Sequence, residues 1–158
     1  MSATKCYNTA EVLVDRNVAR GFGGKVAFID PARTLTYAEL QHATNKGANM
    51  LTIGLGVSRE TRIALLMPDT VDYPCVFWGG VRAGIVPVCL NTLLSANDYL
   101  YMLGDSRSEV LVVSAPLLEM VEPLFDQLPF LKHVIVVDAG DKEFDGYLQF
   151  ETMMADAN

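Results

Sequence analysis

Four short apolar runs punctuate the chain: RIALLM (62–67), IVPVCL (85–90), EVLVVS (109–114) and HVIVVD (133–138). None alternates strictly between apolar and polar residues, so each is expected to be covered on both faces, as strands of a parallel sheet are. Parallel neighbours cannot be joined by a two-residue turn and need a crossover, usually helical. The intervals between the runs carry helix signals. This β-α-β order, with right-handed crossovers, predicts an α/β fold: a mostly parallel sheet with helices on both faces. KVAFID (25–30) is a further short strand candidate, closed by Pro31.

The helix signals are local and specific. Asn8 with Glu11 offers a reciprocal cap for a first helix ending near Arg20, where GFGG (21–24) breaks it. Thr36 and Glu39 form a capping box ahead of Tyr37, Leu40, Ala43, Ala48 and Leu51 at near-helical spacing, and Gly54 and Gly56 stop that helix. Asp69, Thr70 and Asp72 are candidate caps for a helix running to about Ala83, with Pro74 in its first turn. Near its end Gly80, Ala83 and Gly84 make a small-residue face suited to close approach to a sheet. Ser95 and Asp98 cap the next helix, which Gly104 is expected to end. A helix around 117–128 and a short one within 144–158 complete the pattern.

A chain of 158 residues, 51% hydrophobic and 20% charged, has the material for one globular core. Its formal charge of −7 argues against nucleic-acid partners, which a basic footprint would serve. No run is long and apolar enough for a membrane span, and the N-terminus lacks an apolar signal core, so the cytoplasm is the expected location. Cys6, Cys75 and Cys89 form no CxxC pair; Cys75 and Cys89 lie in apolar runs and are expected to be buried structural thiols.

Ligands of such a fold gather at the carboxyl ends of its strands, here Asp30, 67–70, 90–92, 114–116 and 138–141. These positions are poor in reactive groups. The GLG at 54–56 follows a helix rather than a strand, and the GGK at 23–25 lacks the glycine spacing and the hydroxyl of a phosphate loop. His42 and His133 have no partner at metal-ligand spacing. Ser95 precedes its own helix and is explained by capping; no GxSxG is present. Asp69 and Asp72 admit a magnesium reading, but capping aided by the helix dipole is the simpler account. From the residues themselves no catalytic, cofactor-binding or metal-binding residue is assigned.

The stretches TYAEL (36–40), RIALLMPDT (62–70) and RAGIVPVCLN (82–91) resemble, in order and spacing, the N-terminal part of adenylate-forming acyl-CoA ligases. NTLLSANDYLYML (91–103) resembles more narrowly the benzoate and 4-hydroxybenzoate CoA ligases. The resemblance covers nearly the whole chain. It implies that residues 1–158 are the N-terminal α/β portion of a larger ligase domain, with no second domain, whose parent uses ATP, Mg2+ and coenzyme A to form an acyl-adenylate and then an acyl-CoA thioester. It places the phosphate loop, the aryl pocket and the C-terminal lysine of such enzymes further along. The expected partners are therefore the remainder of the ligase and, through surface left uncovered, a second copy of the chain. An autonomous small-ligand-binding module and a non-catalytic interaction domain are the alternatives.

The helix begun by Ser95 should be framework, with Leu100 and Leu103 facing the core. Leu103→Asp is expected to cost a few kcal/mol by burying an unpaired charge, and limited proteolysis of the variant should reveal the loss of protection.

Overall fold

The computed structural model describes residues 7–140, 142 and 144–158. Two short strands, β1 (Val26–Ile29) and β2 (Thr34–Thr36), come first, followed by β3 (Arg62–Leu66), β4 (Val86–Cys89), β5 (Val110–Ser114), β6 (His133–Val137) and β7 (Leu148–Gln149). The helices are α1 (Tyr37–Asn49), α2 (Asp72–Ala83), α3 (Ala96–Ser106), α4 (Ala115–Val121) and α5 (Phe150–Asp156). A helical segment over Glu11–Asp15 and Val18–Phe22 precedes them. The four apolar runs pair in parallel, and the sheet order is β4-β3-β5-β6-β7.

Alternate residues of each strand face opposite sides of the sheet. Ile63, Leu65, Val110, Val112, Ile135 and Val137 pack with Met50, Leu51, Val76 and Phe150, which places α2, α5 and the helical segment Met50–Gly54 that follows α1 on one face. Ala64, Leu66, Leu111, Val113 and Val136 pack with Tyr99, Leu103, Leu118 and Val121 from α3 and α4 on the other. Every residue of β5 is buried, which explains its lack of polar alternation. Pro87 sits in the edge strand β4. The amides of Val86 and Leu90 turn inward to Thr61 O and Leu65 O, so the position of Pro87 points away from the sheet and sacrifices no ladder bond.

KVAFID does not join this sheet. Its strand β1 pairs antiparallel with β2, a strand that the sequence reading lacked, so Asp30 lies in a hairpin turn and not at a carboxyl edge. Both capping boxes form: the Thr36 hydroxyl accepts from Glu39 N–H at 3.3 Å and the Ser95 hydroxyl from Asp98 N–H at 3.3 Å. Asn8 accepts from the Ala10 N–H rather than capping reciprocally with Glu11, and its amide donates to the carbonyls of Val81 and Arg82. Gly104 does not end α3. The helix runs on to Ser106, and Arg107, at φ 51°, makes the left-handed exit. One glycine costs a helix about 1 kcal/mol, which the burial of Leu103 outweighs. The helix expected over 117–128 divides at Glu122 into α4 and a tighter 3-10 turn over Glu122–Gln127, where Pro123 has no N–H to continue α4.

The small-residue face of α2 acts in two directions. As expected, Gly80 lies against the sheet: a Cβ there would meet Ile63 at 3.2 Å and Pro87 at 3.1 Å. Gly84 instead supplies the left-handed C-cap, at φ 74°. The tightest approach is between helices, where Gly79 of α2 meets Gly47 of α1. A Cβ on Gly79 would fall 2.9 Å from Ala48 N and from the Gly47 carbonyl carbon, and one on Gly47 would fall 2.8 Å from Cys75 O.

Those neighbours are backbone atoms and cannot rotate away. Gly79→Ala is therefore expected to destabilise the chain by about 1–3 kcal/mol in urea unfolding. Gly104→Ala, with nothing within 4 Å of the added methyl, should instead gain up to about 1 kcal/mol.

Candidate functional site

The carboxyl edge of the parallel sheet is where this topology would place a ligand. After β3 the chain turns through Pro68, Asp69 and Thr70, with Thr70 N–H donating to Pro68 O at 2.8 Å. None of the expected caps, Asp69, Thr70 or Asp72, covers the start of α2 with its side chain. The Val71 N–H is taken instead by Asp30 Oδ2 from the β1–β2 turn, at 2.9 Å. Asp30 Oδ1 also accepts from Ala32 N–H and Arg33 N–H, both at 2.8 Å. Bonds from Val71, then Arg33 and Ala32, stabilise the charged form and hold this carboxyl below its usual range.

Asp72 is committed to an ion pair with the Arg33 guanidinium at 2.5 Å. At the end of β6, Asp138 adopts φ 58° and donates its N–H to Glu151 Oε1 at 3.2 Å. Burial, followed by repulsion from Asp72 and Glu151, raises the Asp138 carboxyl above its usual range. A hollow of about 530 Å³ opens among Asp30, Arg33, Asp72, Asp138 and Glu151, with Phe150 as its apolar wall. Tertiary structure thus unites Asp30, Asp72 and Asp138, which the sequence reading held apart. It adds Arg33 and Glu151, whose separations in sequence gave no local signal.

The remaining sequence candidates stand apart and have structural occupations. Ser95 Oγ and Asp98 Oδ2 bond each other at 2.6 Å within the α3 cap. His42 is exposed on α1, while His133 begins β6 at the opposite end of the sheet. Gly56, at φ 66°, turns the chain after α1. In the GGK turn the carbonyls of Gly23 and Lys25 accept from Ala38 and Tyr37, and the Lys25 ammonium lies 4.4 Å over the Phe22 ring. Cys75 is buried, and that burial pushes its thiol up to about 12. Cys89, expected to be buried, is exposed, because β4 is an edge strand. Cys6 and Asp141 fall outside the described residues. Among the described residues no three His, Cys, Asp or Glu side chains are grouped to hold a metal, and no helix is long and apolar enough to cross a membrane.

Comparison with known proteins gives this framework its relatives. The family model described as "AMP-binding enzyme" matches residues 15–157, and so takes in both β-sheets and all five α-helices. The chain belongs to the AMP-binding enzyme family. A 4-hydroxybenzoate–CoA/benzoate–CoA ligase of Rhodopseudomonas palustris is 53% identical over 131 residues, covering 83% of this chain and 24% of that ligase. Two solved structures share the fold. An anthranilate CoA ligase in complex with anthranoyl-AMP matches with a TM-score of 0.85 and 31% identity, over 96% of this chain and 27% of its own. A benzoate CoA ligase from Burkholderia xenovorans LB400 matches with a TM-score of 0.82 and 33% identity, over 96% and 29%. This family member therefore spans about a quarter of the length of the curated relative, and corresponds to its N-terminal part.

Asp30 and Asp138, the two carboxylates of this hollow with shifted pKa values, should respond oppositely to pH. Asp30, its pKa depressed, stabilises the fold above the ordinary carboxylate range, and that contribution is lost as pH falls through its folded value. Asp138, its pKa raised, is a liability once ionised. Asp138→Asn should therefore raise the melting temperature at about pH 7 and give no gain at about pH 3, and asparagine tolerates the positive φ. Asp30→Ala should lower the melting temperature at neutral pH, and the deficit should shrink on acidification. Thermal unfolding followed by circular dichroism across this range checks both.

Proposed function

We propose that these residues are the supporting N-terminal part of an ATP-dependent CoA ligase for a benzoate-like aromatic acid. The observation that carries this reading is the 53% identity to a 4-hydroxybenzoate–CoA/benzoate–CoA ligase. In the whole ligase, a carboxylate oxygen of the acid attacks the α-phosphorus of ATP and pyrophosphate leaves. The sulfur of coenzyme A then attacks the acyl carbon, and AMP leaves with the electron pair of the broken C–O bond.

ATP, Mg2+ and coenzyme A are the cofactors proposed for that whole ligase. The residues described here do not fit them. Among the described residues no three His, Cys, Asp or Glu side chains are grouped for a metal, and in the GGK turn the Lys25 N–H, the kind of donor a phosphate needs, is already given to Phe22 O at 2.9 Å. No reaction step is therefore given to a residue of this chain. Its contribution is positional: the sheet and the Asp30 contact fix the wall on which other groups are set, since catalysis of this kind rests on positioning and charge stabilisation.

The 158-residue chain alone should be inactive, whereas the full-length ligase carrying it should catalyse benzoate-dependent ATP–pyrophosphate exchange and thioester formation. Acyl-adenylate formed by the isolated chain would overturn this reading. Micromolar binding of ATP, AMP, benzoate or coenzyme A to the isolated chain in titration calorimetry would replace it with an autonomous binding module.

A further inference from the structure

We propose that the apolar groove between β1 and the first turns of α2 is the seat on which the remainder of the ligase polypeptide packs; this rests on the ligase reading above. Phe28 and Ile29 form one wall, Tyr73, Phe77 and Trp78 the other, and the space between them is about 370 Å³. Phe77 and Trp78 meet edge to face at 4.9 Å, which fixes the geometry of that wall. Asp69, at the rim, is the one charged residue among those lining the groove.

Strand β1 is the anomaly that points to a missing cover. Its sequence is VAFI, yet Val26 is 50% exposed, Phe28 39% and Ile29 72%. It pairs with β2 on one side only, so its other edge is open. An apolar strand with both exposed side chains and an open edge invites association and is seldom left bare. The benzoate CoA ligase superposes on 96% of this chain with only 29% of its own length, so most of that enzyme is polypeptide available to lie against such a surface. A small solute is the weaker occupant, because few polar groups converge in the groove to orient one. A second copy is also weaker, since each chain carries a formal charge of −7.

Hydrogen–deuterium exchange on the isolated chain and on the full-length ligase tests this. The amides of Val26–Ile29 and of the first turn of α2 should exchange roughly tenfold or more slowly in the ligase than in the isolated chain. Ile29→Lys should reduce that difference while leaving the melting temperature of the isolated chain unchanged, because the side chain is exposed there. Equal exchange in the two proteins would overturn the proposal. So would sedimentation of the isolated chain as a dimer whose β1 amides are already protected. Protection without benzoate-dependent adenylate formation would uphold the packing and remove the substrate reading; adenylate formation with an unprotected β1 would do the reverse.

Discussion

Everything in this chain hangs on the pairing of β3 with β5, two strands enclosed from both sides. Ile63 through Leu66 and Val110 through Val113 have no solvent exposure, so helices must cover both faces of the sheet. Burying a valine, leucine or isoleucine side chain contributes about 1.5–3 kcal/mol, and seven of these eight positions, all but Ala64, do so. A polar intrusion at any of them meets packed side chains and no water. The crossovers follow from the same fact, because parallel partners must be reached over a face of the sheet and the crossing segment is what covers it.

The two faces are closed by different means. On one, α3 and α4 lie over Leu111, Val113 and Val136 through ordinary aliphatic contacts and one buried tyrosine, Tyr99, whose hydroxyl donates to Asn91 O at 2.8 Å. On the other, α2 carries α1 at glycine-to-glycine distance and holds the amino-terminal hairpin through Asp30. The Arg82–Asp15 ion pair at 2.6 Å ties the first helical segment to the same helix. Helix α2 is thus the joint between the sheet and both the hairpin and the first helical segment. Its start lies beside the hollow at the carboxyl edge, so the placement of that edge depends on residues some forty positions upstream. The hairpin is thereby fastened to the sheet through α2.

What could be read from the sequence was whatever is encoded within a few residues. Thr36–Glu39 and Ser95–Asp98 each span one helical turn, and both boxes form as read. The unbroken apolar runs revealed the parallel sheet, and the resemblance carried by RIALLMPDT and NTLLSANDYLYML agreed with the family match. What escaped was long-range. Asp30 caps α2 from 41 positions away, so three nearer candidates were preferred on proximity. Gly47 and Gly79 look like any helical glycines until the helices cross. Gly104 was read as a stop because propensity favoured one, whereas the packing of Leu103 carried the helix a further half-turn to Arg107. The hollow at the sheet edge gathers Asp30, Arg33, Asp72, Asp138 and Glu151 from four separate stretches, and no spacing rule joins them.

Pro87 has a consequence beyond its own strand. With a ring in place of the outward amide, the free border of β4 lacks a donor where a foreign strand would dock, and only its carbonyls and the neighbouring Cys89 amide remain. An added strand would lose one ladder bond there. That border of the sheet is thereby guarded against edge-to-edge association.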